Sequence, residues 1–173
     1  MLTDYQIKDL AKKMDIPLER VCFKDQLLEE PLKYNRSYII NMDNEYDENG
    51  KRNEGSHWVC FQMNRYPNGK IEGVYMDSYG AQPPQVVETF CKTKMPYNTK
   101  DIQSLLDNFC GFVCLAFLHF INACPCRTQH LYSDAESFID LFKDLNKSID
   151  FRHNEEVLKL FFQPKEDAII EKN

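Results

Sequence analysis

The sequence predicts an α+β domain: a small antiparallel or mixed sheet packed around a central apolar helix, with further helices on its flanks. Three observations predict it. From Cys114 to Ile121 almost every residue is apolar, His119 excepted, and a helix of that kind belongs in a protein interior. Two strand-like runs, 57–63 and 71–77, are separated by a turn sequence and make a hairpin. Amphipathic helical patterns stand at both ends of the chain. At 173 residues a single domain over 1–173 is expected, with 164–173 as a flexible tail.

The elements follow in order. Thr3-Asp4-Tyr5-Gln6 is a capping box, and Ile7, Leu10, Ala11 and Met14 repeat at helical spacing, which predicts a helix over 3–14. Pro17 suits the opening of a short second turn. Ser37–Met42 reads as a strand, and the polar segment 43–56 reads as a mobile surface loop that could cover a groove. In the hairpin, Pro67-Asn68-Gly69 fits a tight turn, with proline fixing φ and glycine taking positive φ. A symmetric register sets Met63 opposite Ile71 and His57 opposite Asp77, with Cβ atoms roughly 4.5–5.5 Å apart in facing pairs. A bulge at Gly69 would shift that register by one.

Segment 78–84 is a loop, and Pro84 opens a helix over 85–92 that packs Val86, Val87 and Phe90. Residues 93–100 suit a short strand or an extended loop. The central helix starts at Cys110 and breaks near Pro125. Ser133-Asp134-Ala135-Glu136 forms a second capping box before Phe138, Leu141, Phe142 and Leu145. Asn154 is placed to cap a last helix carrying Val157, Leu158, Phe161 and Phe162, which Pro164 ends.

Composition excludes several classes. The chain is 43% hydrophobic, which opposes disorder. No run reaches the length of a membrane span, and MLTDYQIKDL lacks the character of a signal peptide, so a soluble intracellular protein is expected. The net charge of −6 argues against broad nucleic-acid binding. The seven cysteines are odd in number and show no disulfide spacing, so free, catalytic or metal-bound thiols are expected.

Cys110 lies at the mouth of the central helix, where unpaired N–H groups and the helix dipole favour a thiolate. A nucleophile of this kind needs a base. His119 comes nine residues later, and at about 100° per residue it lies on the opposite face of the helix. His130 and His153 flank helices and read as surface residues. His57 stands at a strand start, opposite Asp77. The roles that follow are Cys110 as nucleophile, His57 as general base and Asp77 as the group that orients the imidazole. The Gln103 side-chain amide and the Cys110 backbone N–H are the candidate oxyanion donors. Gly111 offers no side chain where a substrate must come close. A competing metal set, His119, Cys124, Cys126 and His130, has zinc-type ligands but poor spacing, so no metal is expected.

The stretches GSHWVCF at 55–61, YMDSYG at 75–80 and Q-x₆-CGFVC at 103–114 resemble the adenovirus-type maturation proteases, within the ubiquitin-like-protein-processing cysteine proteases. RHNEEVLKLFF at 152–162 and the N-terminal capping box are similar too. The resemblance implies a papain-like, adenain-like fold. It implies a thiol endopeptidase that cleaves capsid or core precursors of a DNA virus after glycine, in contexts such as Gly-Xaa-Gly. A virophage or virus-like element is the expected source, and the virion and host-cell cytoplasm are the expected location. No cofactor is expected. The resemblance also implies that Trp58 helps wall a narrow substrate groove. The DNA activator that it raises is opposed by the acidic balance, and for the peptide activator Cys91 is not at the offset of the peptide-linking cysteine. A protease of ubiquitin-like modifiers, a thioester-forming transferase and a non-catalytic structural protein stay open as alternatives.

Overall fold

The computed structural model describes residues 1–104, 108–123 and 130–163. It has an α+β architecture with a small mixed four-stranded sheet and several helices. Helix α1 (Asp4–Lys13) starts from the expected capping box: the Thr3 hydroxyl accepts from Gln6 N–H, and the Gln6 side chain accepts from Thr3 N–H. The second turn expected at Pro17 does not form. Pro17 instead leads into strand β1 (Leu18–Phe23), and its carbonyl accepts from Ser37 N–H at 2.8 Å. All six β1 residues are half-buried, so no alternation marks the strand in the sequence. A 3₁₀ segment, Lys24–Glu29, follows it.

Strand β2 (Arg36–Asn41) pairs parallel with β1 and antiparallel with β3 (Trp58–Arg65), and β3 pairs antiparallel with β4 (Ile71–Met76). The hairpin register differs from the symmetric one. Met63 faces Gly73 and Arg65 faces Ile71, a shift of two residues. The cause lies in the turn: Tyr66 N–H donates to the Lys70 carbonyl and Gly69 N–H to the Tyr66 carbonyl, with Gly69 at φ +84°. Three residues therefore close the hairpin around Asn68. A shift of two preserves which face each side chain takes.

Both faces of the sheet are covered, and successive residues alternate between two cores. Ile39, Cys60, Val74 and Met76 pack with Cys114, Leu115, Phe117 and Leu118 on one side. Tyr38, Ile40, Val59, Phe61 and Met63 pack with Val87 and Phe90 on the other. Tyr38 stacks on its cross-strand partner Phe61 at 5.0 Å, with Phe90 edge-on to both rings. Helix α2 (Gln85–Cys91) follows Pro84 as expected, burying Val87, Phe90 and Cys91. Segment 93–100 is extended: Tyr97 bridges to Tyr75, and the Pro96 carbonyl accepts from Tyr75 N–H at 3.0 Å.

Helix α3 (Cys110–Asn122) buries nine residues, from Cys110 to Ile121, as its composition requires. His119 is spent on structure, its Nδ1 bonded to the Met14 carbonyl at 2.9 Å. Helix α4 (Leu131–Ile139) begins two residues before the predicted capping box, so Ser133 lies inside it. Its first turn is capped from β4 instead: Leu131 N–H donates to the Glu72 carboxylate at 2.9 Å and to the Tyr66 hydroxyl at 3.1 Å. A carboxylate at a helix N-terminus also meets the dipole favourably, which a local serine cannot match. Leu141 and Leu145 fall beyond this helix. Helix α5 (Phe151–Leu160) has Asp150 at its N-cap, and Asn154 is buried inside the helix rather than capping it.

The polar segment 43–56 is laced by hydrogen bonds rather than loose. Tyr46 bridges to Arg52, Asp47 accepts from Asn49 and Lys51 N–H, and Glu45 N–H donates to Asp25. Cys124, Cys126 and the expected tail at 164–173 lie outside the described residues. Among the described residues, no helix is long and apolar enough to cross a membrane.

Gly80 closes the turn after Asp77, at φ +74°, and a Cβ there would meet the Thr99 and Lys100 carbonyls at 2.7 Å. Gly69 has a similar φ, +84°, but open space around it. Gly69→Ala is expected to cost about 1 kcal/mol from backbone strain alone. Gly80→Ala should cost clearly more, about 3 kcal/mol, because rigid backbone must also move. Urea unfolding of the two variants checks the order.

Candidate active site

The candidate residues come from four separate elements. His57 immediately precedes β3, where its carbonyl accepts from Met42 N–H at 2.9 Å. Its position depends on Asn41, whose Oδ1 accepts from Ser56 N–H at 3.2 Å and from Asp43 N–H at 3.0 Å. Gly55, at φ +92°, is required beside it, since a Cβ there would run into the Asn41 amide at 2.4 Å. Asp77 immediately follows β4. Cys110 is the first residue of α3, and no acidic residue occupies that first turn to oppose a thiolate.

Three of the predicted residues meet. His57 Nε2 lies 2.8 Å from Asp77 Oδ1, with Asp77 4% exposed. The imidazole and the Cys110 thiol are near enough that each shifts the other's pKa toward its charged form. Because Nε2 is engaged by the carboxylate, Nδ1 is the nitrogen left to serve the sulfur. Asp77 Oδ1 is further held by Tyr79 N–H at 2.8 Å, and Asp77 N–H donates to Asn98 Oδ1 at 3.3 Å. The Tyr79 ring stands 4.7 Å from the imidazole, where its π face favours a positive charge.

Electrostatics favour the charged forms of both groups in a buried place. For His57, burial opposes the charge, but the hydrogen bonds to Asp77 and Cys110 and their negative charge overcome it and raise the pKa from 6.5 to about 9. For Cys110, burial pushes the thiol up. The His57 hydrogen bond, the Trp58 N–H at 3.5 Å from Sγ, the His57 charge and the Gly111 N–H together bring it below its ordinary 9.0. Other thiols go the opposite way. Burial raises Cys22 to about 11 and Cys91 to about 12, and it pushes Cys114 up as well.

Gln103 is buried beside this group, 3% exposed. Its Oε1 accepts from the Ser78 hydroxyl. Ser78 is the residue that sequence reasoning missed. It stands next to Asp77, but nothing local reveals a hydroxyl–amide contact between positions 78 and 103. Its carbonyl also accepts from Ile102 N–H at 2.8 Å, so the strand end bearing the acid and the segment bearing the glutamine are tied twice.

The two expected groove residues stand differently from each other. Trp58 lines a cavity of about 740 Å³ with Leu2, Val21, Phe23, Arg52 and Glu54. Its indole N–H donates to the Leu2 carbonyl at 2.9 Å. Gly111 does not face open groove: a Cβ there would meet the Leu2 side chain at 3.1 Å. Its lack of a side chain makes room for the chain's own N-terminal segment. Among the described residues, no group of three or more His, Cys, Asp or Glu could hold a metal ion. Of the zinc-type set, His119 and His130 are described; His130 Nδ1 lies 3.6 Å from Glu72. Neither a scan against protein-family models nor a search of the curated proteins finds a match for this chain.

With its pKa below 9.0, Cys110 is expected to react with limiting iodoacetamide at neutral pH before any other cysteine, as read by peptide mass spectrometry. His57→Ala removes the partner and leaves only the Trp58 and Gly111 N–H groups to oppose burial. In that variant the Cys110 rate at pH 7 should fall about 10-fold or more, and recover only as pH rises past the ordinary thiol range.

Proposed function

We propose that this chain is a cysteine endopeptidase that cleaves after glycine in small-residue contexts, with capsid or core precursors of a DNA virus as its substrates. The observation that carries the reading is the 2.8 Å His57–Asp77 pair set beside Cys110 at the start of α3, where His57 and Cys110 shift each other toward their charged forms. The viral substrate class rests on the resemblance of the motifs around these residues to the adenovirus-type proteases.

In this mechanism the Cys110 thiolate attacks the scissile carbonyl carbon and forms a C–S bond, while the carbonyl electron pair moves onto oxygen. The Cys110 backbone N–H and the Gln103 amide donate to that oxyanion. Collapse of the intermediate breaks the C–N bond, and His57 gives its proton to the departing amine. His57, now neutral, takes a proton from water as the water attacks the thioester. The acid product leaves, and thiolate and imidazolium are restored. Asp77 keeps Nε2 bonded throughout, so that Nδ1 stays aimed at the sulfur and the reacting groups.

The protease of ubiquitin-like modifiers uses the same chemistry, and substrate choice separates the two. A panel of glycine-containing peptides and a ubiquitin-type C-terminal fluorogenic substrate is the test. Turnover of the Gly-Xaa-Gly peptides is expected, and turnover confined to the ubiquitin-type substrate would overturn the endopeptidase reading. Cys110→Ala should abolish cleavage and leave the unfolding midpoint within a few degrees of the parent. Ser78→Ala should lower kcat about 10-fold with little change in KM, since it loosens an oxyanion donor rather than the nucleophile. The kcat profile should have a falling limb near pH 9, where His57 loses the proton that the leaving amine needs.

A further inference from the structure

We infer that Asn154, on α5, is a positioning residue for the oxyanion amide of Gln103. The inference rests on the protease reading above. An asparagine inside a helix is a mediocre helix former. This one is 4% exposed and turns its amide away from the helix. Its Oδ1 accepts from Lys143 N–H at 2.8 Å, and its Nδ2 donates to the Lys143 carbonyl at 2.8 Å and to the Ile102 carbonyl at 3.2 Å.

The contact with Ile102 is the one that reaches the site. The Ile102 carbonyl and the Gln103 N–H belong to one planar peptide unit, so holding one fixes the other. That unit is gripped from both sides. Asn154 takes the carbonyl, and the Gln103 N–H donates to Asp101 Oδ1 at 3.4 Å. One residue back, Ile102 N–H donates to the Ser78 carbonyl. The same stretch is braced from the α4–α5 connection: Leu145 N–H donates to the Asp101 carbonyl at 2.7 Å, and Lys100 Nζ donates to the Ile139 and Phe142 carbonyls. Gln103, Phe109 and Asn154 line one small cavity, directly behind the start of α3. Ser78 thus sets the end of the Gln103 side chain, and Asn154 sets the backbone from which that side chain departs. His57, Asp77 and Cys110 share no hydrogen bond with Asn154 in this arrangement. Asn154 therefore supports the oxyanion amide and makes no direct contact with the thiolate pair.

A double-mutant cycle with Gln103→Ala tests this, using a cleavable glycine-containing peptide and iodoacetamide labelling of Cys110 side by side. Asn154→Ala is expected to lower kcat about 10- to 100-fold, the scale of a displaced catalytic donor, with KM changed less than about 3-fold. Cys110 labelling should stay within about 2-fold of the parent. In the Gln103→Ala background the same substitution should cost less than about 3-fold, because the group it positions is gone. An equal fractional loss in both backgrounds, an unchanged kcat, or a labelling rate that falls in step with kcat overturns the inference. If Asn154→Ala does not fold, Asn154→Asp takes its place. It keeps the acceptor for Lys143 N–H and sets a carboxylate against the Ile102 carbonyl, and the same non-additive pattern is expected. A parent protein that labels at Cys110 yet cleaves no peptide overturns the protease reading, and this inference with it.

Discussion

One residue of slip between β3 and β4 would turn His57 and Asp77 onto opposite sides of the sheet. The rest of the site depends on that register. It is held by the three-residue turn at Gly69, by a ladder running from Arg65–Ile71 to Cys60–Met76, and by side chains buried on both faces. A slipped pairing would exchange the contents of two cores at once, sending Tyr75 toward α3 and Met76 toward α2. Each large buried side chain represents about 1.5–3 kcal/mol of transfer free energy, so that exchange is far outside thermal reach. The 2.8 Å contact between imidazole and carboxylate is therefore specified by apolar packing several residues away.

That contact sets the charge state of the site. A buried imidazolium and a buried thiolate are each unfavourable alone, since both lose hydration. Together, with the Asp77 carboxylate behind and the Trp58 and Gly111 N–H groups in front, the attraction outweighs the desolvation, and the two shifts take opposite signs. Cys114, one turn along the same helix, has no such surroundings, and its thiol is pushed up. Cysteine type and helix membership are the same in the two cases, so the environment alone sends the two thiols in opposite directions.

Features with a local cause could be read from the sequence, and features with a distant cause could not. The α1 capping box, the Pro84 start of α2 and the apolar α3 are local, and each stands where the residues predict. The pairing of His57 with Asp77 was legible despite a register wrong by two, because side-chain direction along a strand has a period of two. Strand β1 was not legible: its partner β2 is parallel, and no hairpin signal links them. The capping box at Ser133 was overridden because Glu72, from β4, reaches the helix start first. Asn154 looked like a cap because its type favours caps, but its amide is satisfied by Lys143 and Ile102 across the α4–α5 connection. Gly111 was read as room for substrate, whereas the room is taken by Leu2.

These distant contacts give the site an order of fragility. The imidazole and carboxylate flank the central hairpin, and Cys110 begins the most buried helix, so exposing them requires near-global unfolding. Gln103 is held differently. Its segment, 96–103, has a bridge to β4, two further backbone bonds (Ile102 N–H to the Ser78 carbonyl and Leu145 N–H to the Asp101 carbonyl), and side-chain bonds from Ser78, Asn98, Lys100, Asp144 and Asn154. Hydrogen bonds of this kind contribute roughly 1 kcal/mol each, and Ile102 is the segment's anchor in the core beside α3. On the protease reading proposed above, the oxyanion amide thus rests more on hydrogen bonds than the start of α3 does. A structure that keeps its thiolate pair while losing this segment would bind and be alkylated, yet turn over slowly. On the protease reading proposed above, turnover is accordingly tuned through the α4–α5 connection and the strand end at Ser78, apart from the nucleophile.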